Sequence, residues 1–216
     1  MGFQRPFVVP NAYGSTFQVI LGLDSYFPQE ISFLSYSNPF RFLVTVILSG
    51  SSTDKMAEIS AERLFSVFAD ASSLKDVKVE EIEELIHSSG LFRAKARNIK
   101  ALSEIVAEKG IPDTLEELVK LPGVGEKTAS CYLQRVLKKN AVVVDTHFER
   151  TAFRLGLTDT HDRNKAAREI KERIPEKYWN RLSDTVNSLG RQKCRPKPNC
   201  SQCPVEKLCP KNGINP

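Results

Sequence analysis

The sequence predicts an all-α protein of two lobes. Three observations carry that prediction. Apolar residues recur at steps of three and four along each long patterned segment. The β-branched run "AVVVD", residues 141 to 145, is too short and isolated to imply a sheet. At 216 residues the chain is long enough for two small hydrophobic cores. Element by element, Asn38 as N-cap and Pro39 at the first helical position make "NPFRFLVTVILS" a buried helix rather than a strand. Between Asp54 and Ala69, residues Ala57, Ala61, Leu64, Phe65 and Phe68 form one apolar stripe, and Ile99, Leu102, Ile105 and Val106 form another. Ile111, Pro112 and Asp113 break the chain. Thr114 with Glu117 then makes a capping box for a short helix reaching about Lys120. After "LPGVG" a second helix starts at Glu126. "AVVVD" serves as an extended connector, and Asp145 is placed to cap "THFERTAFRL". Tyr178, Leu182, Val186 and Leu189 mark a last amphipathic helix, whereas the first 28 residues offer no usable periodicity.

Hydrophobic and charged fractions of 41% and 26% are those of ordinary globular chains, which argues against disorder or a membrane class. No stretch is long and apolar enough to span a bilayer. Met1 to Pro10 lacks the apolar core of a signal peptide, and Pro6 argues against myristoylation at Gly2. The expected location is cytoplasmic, associated with the nucleoid, or nuclear in a eukaryote. A net charge of +5 is modest, but Arg191, Lys193, Arg195, Lys197, Lys207 and Lys211 face only Glu206 in the last 26 residues. That tail either follows a phosphate backbone or is simply solvated.

The hairpin at 114 to 138 invites a sharper reading. Gly123 is suited to a left-handed closure of the first helix, and Gly125 allows close approach of a ligand to the start of the second. Free amides at that start, with the Thr128 hydroxyl nearby, would hold one phosphate; the alternative is a plain helical turn. Lys127 sits where the peptide dipoles already make the potential positive. Partial burial there would lower its pKa and yield a neutral amine able to form a Schiff base, although most lysines are ordinary surface cations. Asp145 is the natural partner carboxylate, and it caps its own helix as well.

Four of the five cysteines, Cys194, Cys200, Cys203 and Cys209, fall in C-x5-C-x2-C-x5-C spacing. In a chain with no secretion signal this is a metal site, either structural zinc or a [4Fe–4S] cluster. Cys131 reads as a small buried apolar residue.

Taken in order, "NPFRFLVTVILS" from Asn38, "GLFRAKARNI" from Gly90, "LPGVGEKTA" with Lys127, "VDTH" with Asp145 and His147, and the terminal cysteine loop resemble endonuclease III of the helix-hairpin-helix DNA glycosylase superfamily. The likeness runs over roughly residues 36 to 210. It implies a six-helix barrel over 29–139 that ends in the helix-hairpin-helix, and a second helical lobe from 1–28 and 140–216 carrying a [4Fe–4S] cluster on the four cysteines. It further implies a monomer acting on double-stranded DNA that holds a damaged base or abasic site. Such an enzyme excises the base, commonly an oxidised pyrimidine, and cuts the strand. Lys127 matches the Schiff-base lysine and Asp145 the catalytic aspartate; Leu91 matches a wedge that enters the base stack. Leu121, Gly123, Val124 and Gly125 match the phosphate-binding hairpin, with Thr128, His147 and Lys197 as further expected DNA contacts. Three departures stand out. Ser51 in "ILSGSSTD" replaces a usual glutamine that fills the space left by the flipped nucleotide. The first cysteine spacer is five residues rather than six. The N-terminal segment is unlike the usual first helix. A monofunctional glycosylase for mismatched or alkylated bases, a non-catalytic DNA-binding module and a zinc-stapled helical interaction protein are the rival readings.

Overall fold

The computed structural model describes residues 14–28 and 38–214, and among these every regular element is a helix. The readings made on Met1 to Pro10 and the lobe boundary at residue 29 involve positions outside the described residues. The chain divides into two compact units, one of Ser32–Lys139 and one joining Met1–Ile31 to Asn140–Pro216.

The first of these is organised by helix α2 (Pro39–Ser49), in which eight of eleven side chains are buried. Helices α3 (Asp54–Val67), α6 (Phe92–Lys109) and α8 (Glu126–Arg135) all pack on α2. A helix apolar on every side has to be a central one, and each fully buried leucine or valine there contributes about 1.5–3 kcal/mol. Asn38 caps α2, its side chain accepting from the Arg41 amide at 2.9 Å. Thr53 caps α3 in the same way. Between α3 and α6 lie α4 (Ala71–Leu74) and α5 (Val79–Ile86); α7 (Leu115–Leu118) precedes α8 and is capped by Thr114, whose hydroxyl also donates to Glu117.

The other unit contains α1 (Gly14–Tyr26), α9 (Thr146–Arg154), α10 (Arg163–Arg173) and α11 (Trp179–Gln192), with 3-10 turns at Glu176–Tyr178, Cys200–Gln202 and Glu206–Leu208. Its core gathers Phe17, Leu23, Phe148, Ile170, Leu182, Val186 and Leu189. Residues 141–144 are buried and have no regular secondary structure. Buried amides need partners, and here α11 supplies them: Asn180 Oδ1 accepts from Ala141 N at 2.8 Å and Ser183 Oγ from Val143 N at 3.0 Å. Helices α9 and α11 meet so closely that a Cβ on Gly190 would stand 2.7 Å from the His147 carbonyl oxygen.

Helix α1 corrects the sequence reading of the N-terminal segment as unpatterned. Phe17, Val19, Ile20 and Leu23 are all buried, so the apolar side chains crowd the helix too densely for a clean stripe to show. Its C-terminal carbonyls are gathered by Arg181, which donates to the oxygens of Asp24 at 2.9 Å and Phe27 at 2.8 Å and pairs with the Asp24 carboxylate. At Gly22 the helix passes so near the cysteine loop that a Cβ would lie 2.9 Å from Val205 Cγ1.

Candidate active site and cysteine centre

In the hairpin, Gly123 has φ of +75°, the left-handed conformation that glycine adopts without strain, and an added Cβ would meet the Asn98 Cβ of α6 at 2.9 Å. Gly125 is different. It is the N-cap of α8 with φ −90° and ψ 177°, allowed to any residue, and nothing lies within 4 Å of where its Cβ would be. No side chain caps α8, so the amides of its first turn are available to an outside acceptor beside an open, exposed corner. Leu121, Val124 and Thr128 bury their side chains; the Thr128 hydroxyl therefore faces the interior of the unit, and these three positions offer main-chain groups only.

Lys127 occupies the second position of α8, half-buried, and its Nζ donates to Ser49 Oγ at 3.1 Å. Ser49 in turn donates to the Val46 carbonyl at 2.9 Å, which fixes the hydroxyl at the last turn of α2. Asp145 belongs to the other unit. It caps α9, with Oδ1 accepting from the amides of His147 at 2.9 Å and Phe148 at 2.8 Å. Its second oxygen pairs with the Arg191 guanidinium at 3.8 Å. His147 is half-buried, its ring 3.5 Å from Arg150 Nη2, and Lys197 is exposed.

Among the described residues of the Ser32–Lys139 unit three non-glycine residues lie in the left-handed region, and two of them, Ser51 at φ 54° and Leu91 at φ 60°, stand at corners of the chain. Both are exposed, and Leu91 is 69% exposed, an unusual position for a leucine that precedes an 18-residue helix. The two corners touch through backbone. A Cβ on Gly90 would fall 2.1 Å from the Ser51 carbonyl oxygen, so glycine is required for the approach. The Gly90 amide donates to Ser52 Oγ at 2.8 Å, and Ser52 and Ser89 share a hydrogen bond at 3.2 Å.

Beneath these corners is a residue that the sequence reading left unassigned. Lys95 is buried, with Nζ donating to the Leu48 carbonyl and to Ser89 Oγ, both at 2.7 Å. Burial alone lowers its pKa to about 8. The available signal was its spacing: four residues before Ile99 and seven before Leu102, it lies on the apolar stripe of α6.

All four terminal cysteines line one cavity, together with Leu155 and Leu189. Among the described residues no three side chains of metal-binding type stand close enough to hold a single ion. Hydrogen bonds of the kind that support metal-bound sulfur are present: the Lys211 amide donates to Cys209 Sγ at 3.4 Å and Arg154 Nη1 to Cys194 Sγ at 3.6 Å. Burial raises the Cys203 and Cys209 thiols above the ordinary range, a cost that a bound metal would offset.

Residues 44–176 match the model of the HhH-GPD superfamily base excision DNA repair proteins. The chain is 37% identical to endonuclease III of Thermotoga maritima over 177 residues, covering 80% of this chain and 83% of that one. It is also 37% identical to endonuclease III of Synechocystis sp., covering 89% and 90%. Among solved structures, a trapped endonuclease III–DNA covalent intermediate, an estranged-adenine complex, superposes with a TM-score of 0.85 at 33% identity over 91% of this chain and 96% of that one. A non-covalent endonuclease III–DNA complex gives 0.86 at 31% identity over 94% and 97%. A thermostable thymine-DNA glycosylase, 19% identical with a TM-score of 0.79, shares the fold. The chain belongs to the HhH-GPD superfamily of base excision DNA repair proteins and, within it, to the endonuclease III family.

Proposed function

We propose that this protein is a DNA glycosylase and abasic-site lyase of base excision repair, removing a damaged base, of the oxidised pyrimidine class, and then cutting the strand. The observation that carries the reading is the Lys127 amine. In a chain of the endonuclease III family it is half-buried beside an uncapped helix start and held by a neutral hydroxyl rather than a carboxylate.

In this reading the amides opening α8 bind a phosphate next to the lesion, and Lys197 in the basic tail adds charge that positions the strand without reading sequence. The target nucleotide leaves the stack at a cost of a few kcal/mol. Leu91 and Ser51, on their paired corners, occupy the space it vacates. The Lys127 amine attacks C1′ of the deoxyribose, and the bond from C1′ to the base breaks, its electron pair leaving with the base, which takes up a proton. The amine nitrogen then forms an imine with C1′ as the sugar ring opens. Loss of a proton from C2′ expels the 3′ phosphate by β-elimination, and water releases the lysine. The Asp145 carboxylate is assigned to stabilise the positive charge that develops on the sugar and to assist the proton transfers. Cys194, Cys200, Cys203 and Cys209 would hold a [4Fe–4S] cluster. That cluster would supply a four-point cross-link ordering the basic loop around it.

The test is borohydride reduction in the presence of DNA containing an abasic site. The wild-type protein should be trapped covalently and Lys127→Ala should not. Equal trapping of both would remove Lys127 from this role. Strand cleavage without added base or heat separates a lyase from a glycosylase that only releases bases.

A further inference from the structure

We infer that Lys95 is a positioning residue for nucleotide extrusion: by clamping the Leu48 carbonyl and the Ser89 hydroxyl, its ammonium holds the Ser51 and Leu91 corners together in their left-handed conformations. The inference rests on the proposed function and deepens it.

A bulky residue such as leucine avoids positive φ, so such a position persists only where its surroundings over-determine it. At Leu91 no side-chain cap fixes the start of α6. What fixes it is a network beneath. Lys95 lies one turn into α6, with its amide bonded to the Leu91 carbonyl at 3.1 Å. Its side chain reaches back to the last turn of α2 at Leu48, immediately before the Ser51 corner, and to Ser89, immediately before Gly90 and Leu91. Ser89 Oγ donates to the same Leu48 carbonyl at 3.1 Å, and Ser52, 3.5 Å from the ammonium, accepts from the Gly90 amide. One buried cation thus joins the segment before each corner to the other. Among the described residues its partners are all uncharged, so no ion pair there compensates its burial. An amine retained at that cost in place of a leucine supplies directed hydrogen bonds, which a hydrocarbon could not. A cation at the C-terminal end of α2 also complements the helix dipole there.

The corners matter only when a nucleotide must be levered out of a duplex; in a single strand nothing has to be unstacked against a partner. The experiment compares single-turnover cleavage at an abasic site in duplex and in single-stranded DNA for wild type, Lys95→Met, Leu91→Ala and the double variant. Lys95→Met should slow duplex cleavage about tenfold to a hundredfold, the worth of hydrogen bonds from a charged donor, and leave the single-strand rate within about twofold. The double variant should be no slower on duplex than Leu91→Ala, because both changes disable the same wedge. 2-Aminopurine stacked next to the abasic site should brighten on binding wild type and stay dim with Lys95→Met. If Lys95→Met does not fold, Ser89→Ala removes one arm of the clamp and should shift the duplex-to-single-strand ratio in the same direction. Equal losses on both substrates, or no loss on either, would overturn the inference. A wild type that cleaves neither substrate would instead overturn the function on which it rests, and the inference with it.

Discussion

The two glycines of "LPGVG" should respond oppositely to alanine. Gly123→Ala places a side chain on a left-handed backbone, costing about 1–2 kcal/mol. It also drives a Cβ to 2.9 Å from Asn98 Cβ, an overpacking of about 1–3 kcal/mol. The expected loss is about 2–5 kcal/mol, or a fall in Tm of about 5–15 °C. Gly125→Ala meets no atom within 4 Å and keeps an allowed backbone. Alanine is the poorer N-cap, but it also reduces the entropy of the unfolded chain, and the two effects nearly cancel to within about 0.5 kcal/mol. Folding therefore does not require glycine at 125. Close approach of a phosphate to the α8 amides would. The assay pairs a thermal melt with a binding titration on duplex DNA carrying a reduced abasic site at fixed salt. Gly125→Ala should melt like wild type and bind about tenfold to a hundredfold more weakly, the loss of one amide bond to a charged acceptor. Wild-type affinity in a normally folded Gly125→Ala protein would refute the phosphate-binding role of the hairpin.

Asp145→Asn keeps an N-cap acceptor for the His147 and Phe148 amides while removing the charge. It should leave the melting temperature nearly unchanged and lower the rate of base release about 10²–10³-fold in single-turnover kinetics. Lys95 keeps its proton to the ordinary lysine range, near 10.5, when unfolded but releases it at about 8 when folded. The unfolded chain thus binds more protons between those values, and wild type should gain stability over Lys95→Met as pH rises from about 8 to 10.5, by at most about 3 kcal/mol, with no trend below pH 8. Denaturant melts of both proteins at several pH values check this. Cys203→Ser should abolish iron and sulfide content in anaerobically purified protein and lower the melting temperature of the unit that contains the cysteine loop. Stoichiometric zinc with no iron in wild type would reverse the cluster assignment.

Sequence alone determined what local chemistry dictates. The caps at Asn38, Thr114 and Asp145 announce themselves because a side-chain acceptor must stand just ahead of a helix's free amides. The stripes of α3, α6 and α11 show because one face of each meets a core. The cysteine spacing and the glycines of the hairpin are equally local. Helix α1 escaped because apolar residues crowd it, and only its packing on α11 and the cysteine loop shows which of them face inward. Tertiary structure alone decided the rest. Residues 48 and 52 are distant in the chain from 89 and 95, and no spacing rule joins an α2 carbonyl to a lysine 47 positions later. Lys95, flanked by Arg93 and Arg97, reads as one more surface cation until folding surrounds it with neutral partners. Hydrogen bonds and burial depend on where atoms come to rest, and sequence specifies that placement only through the whole fold.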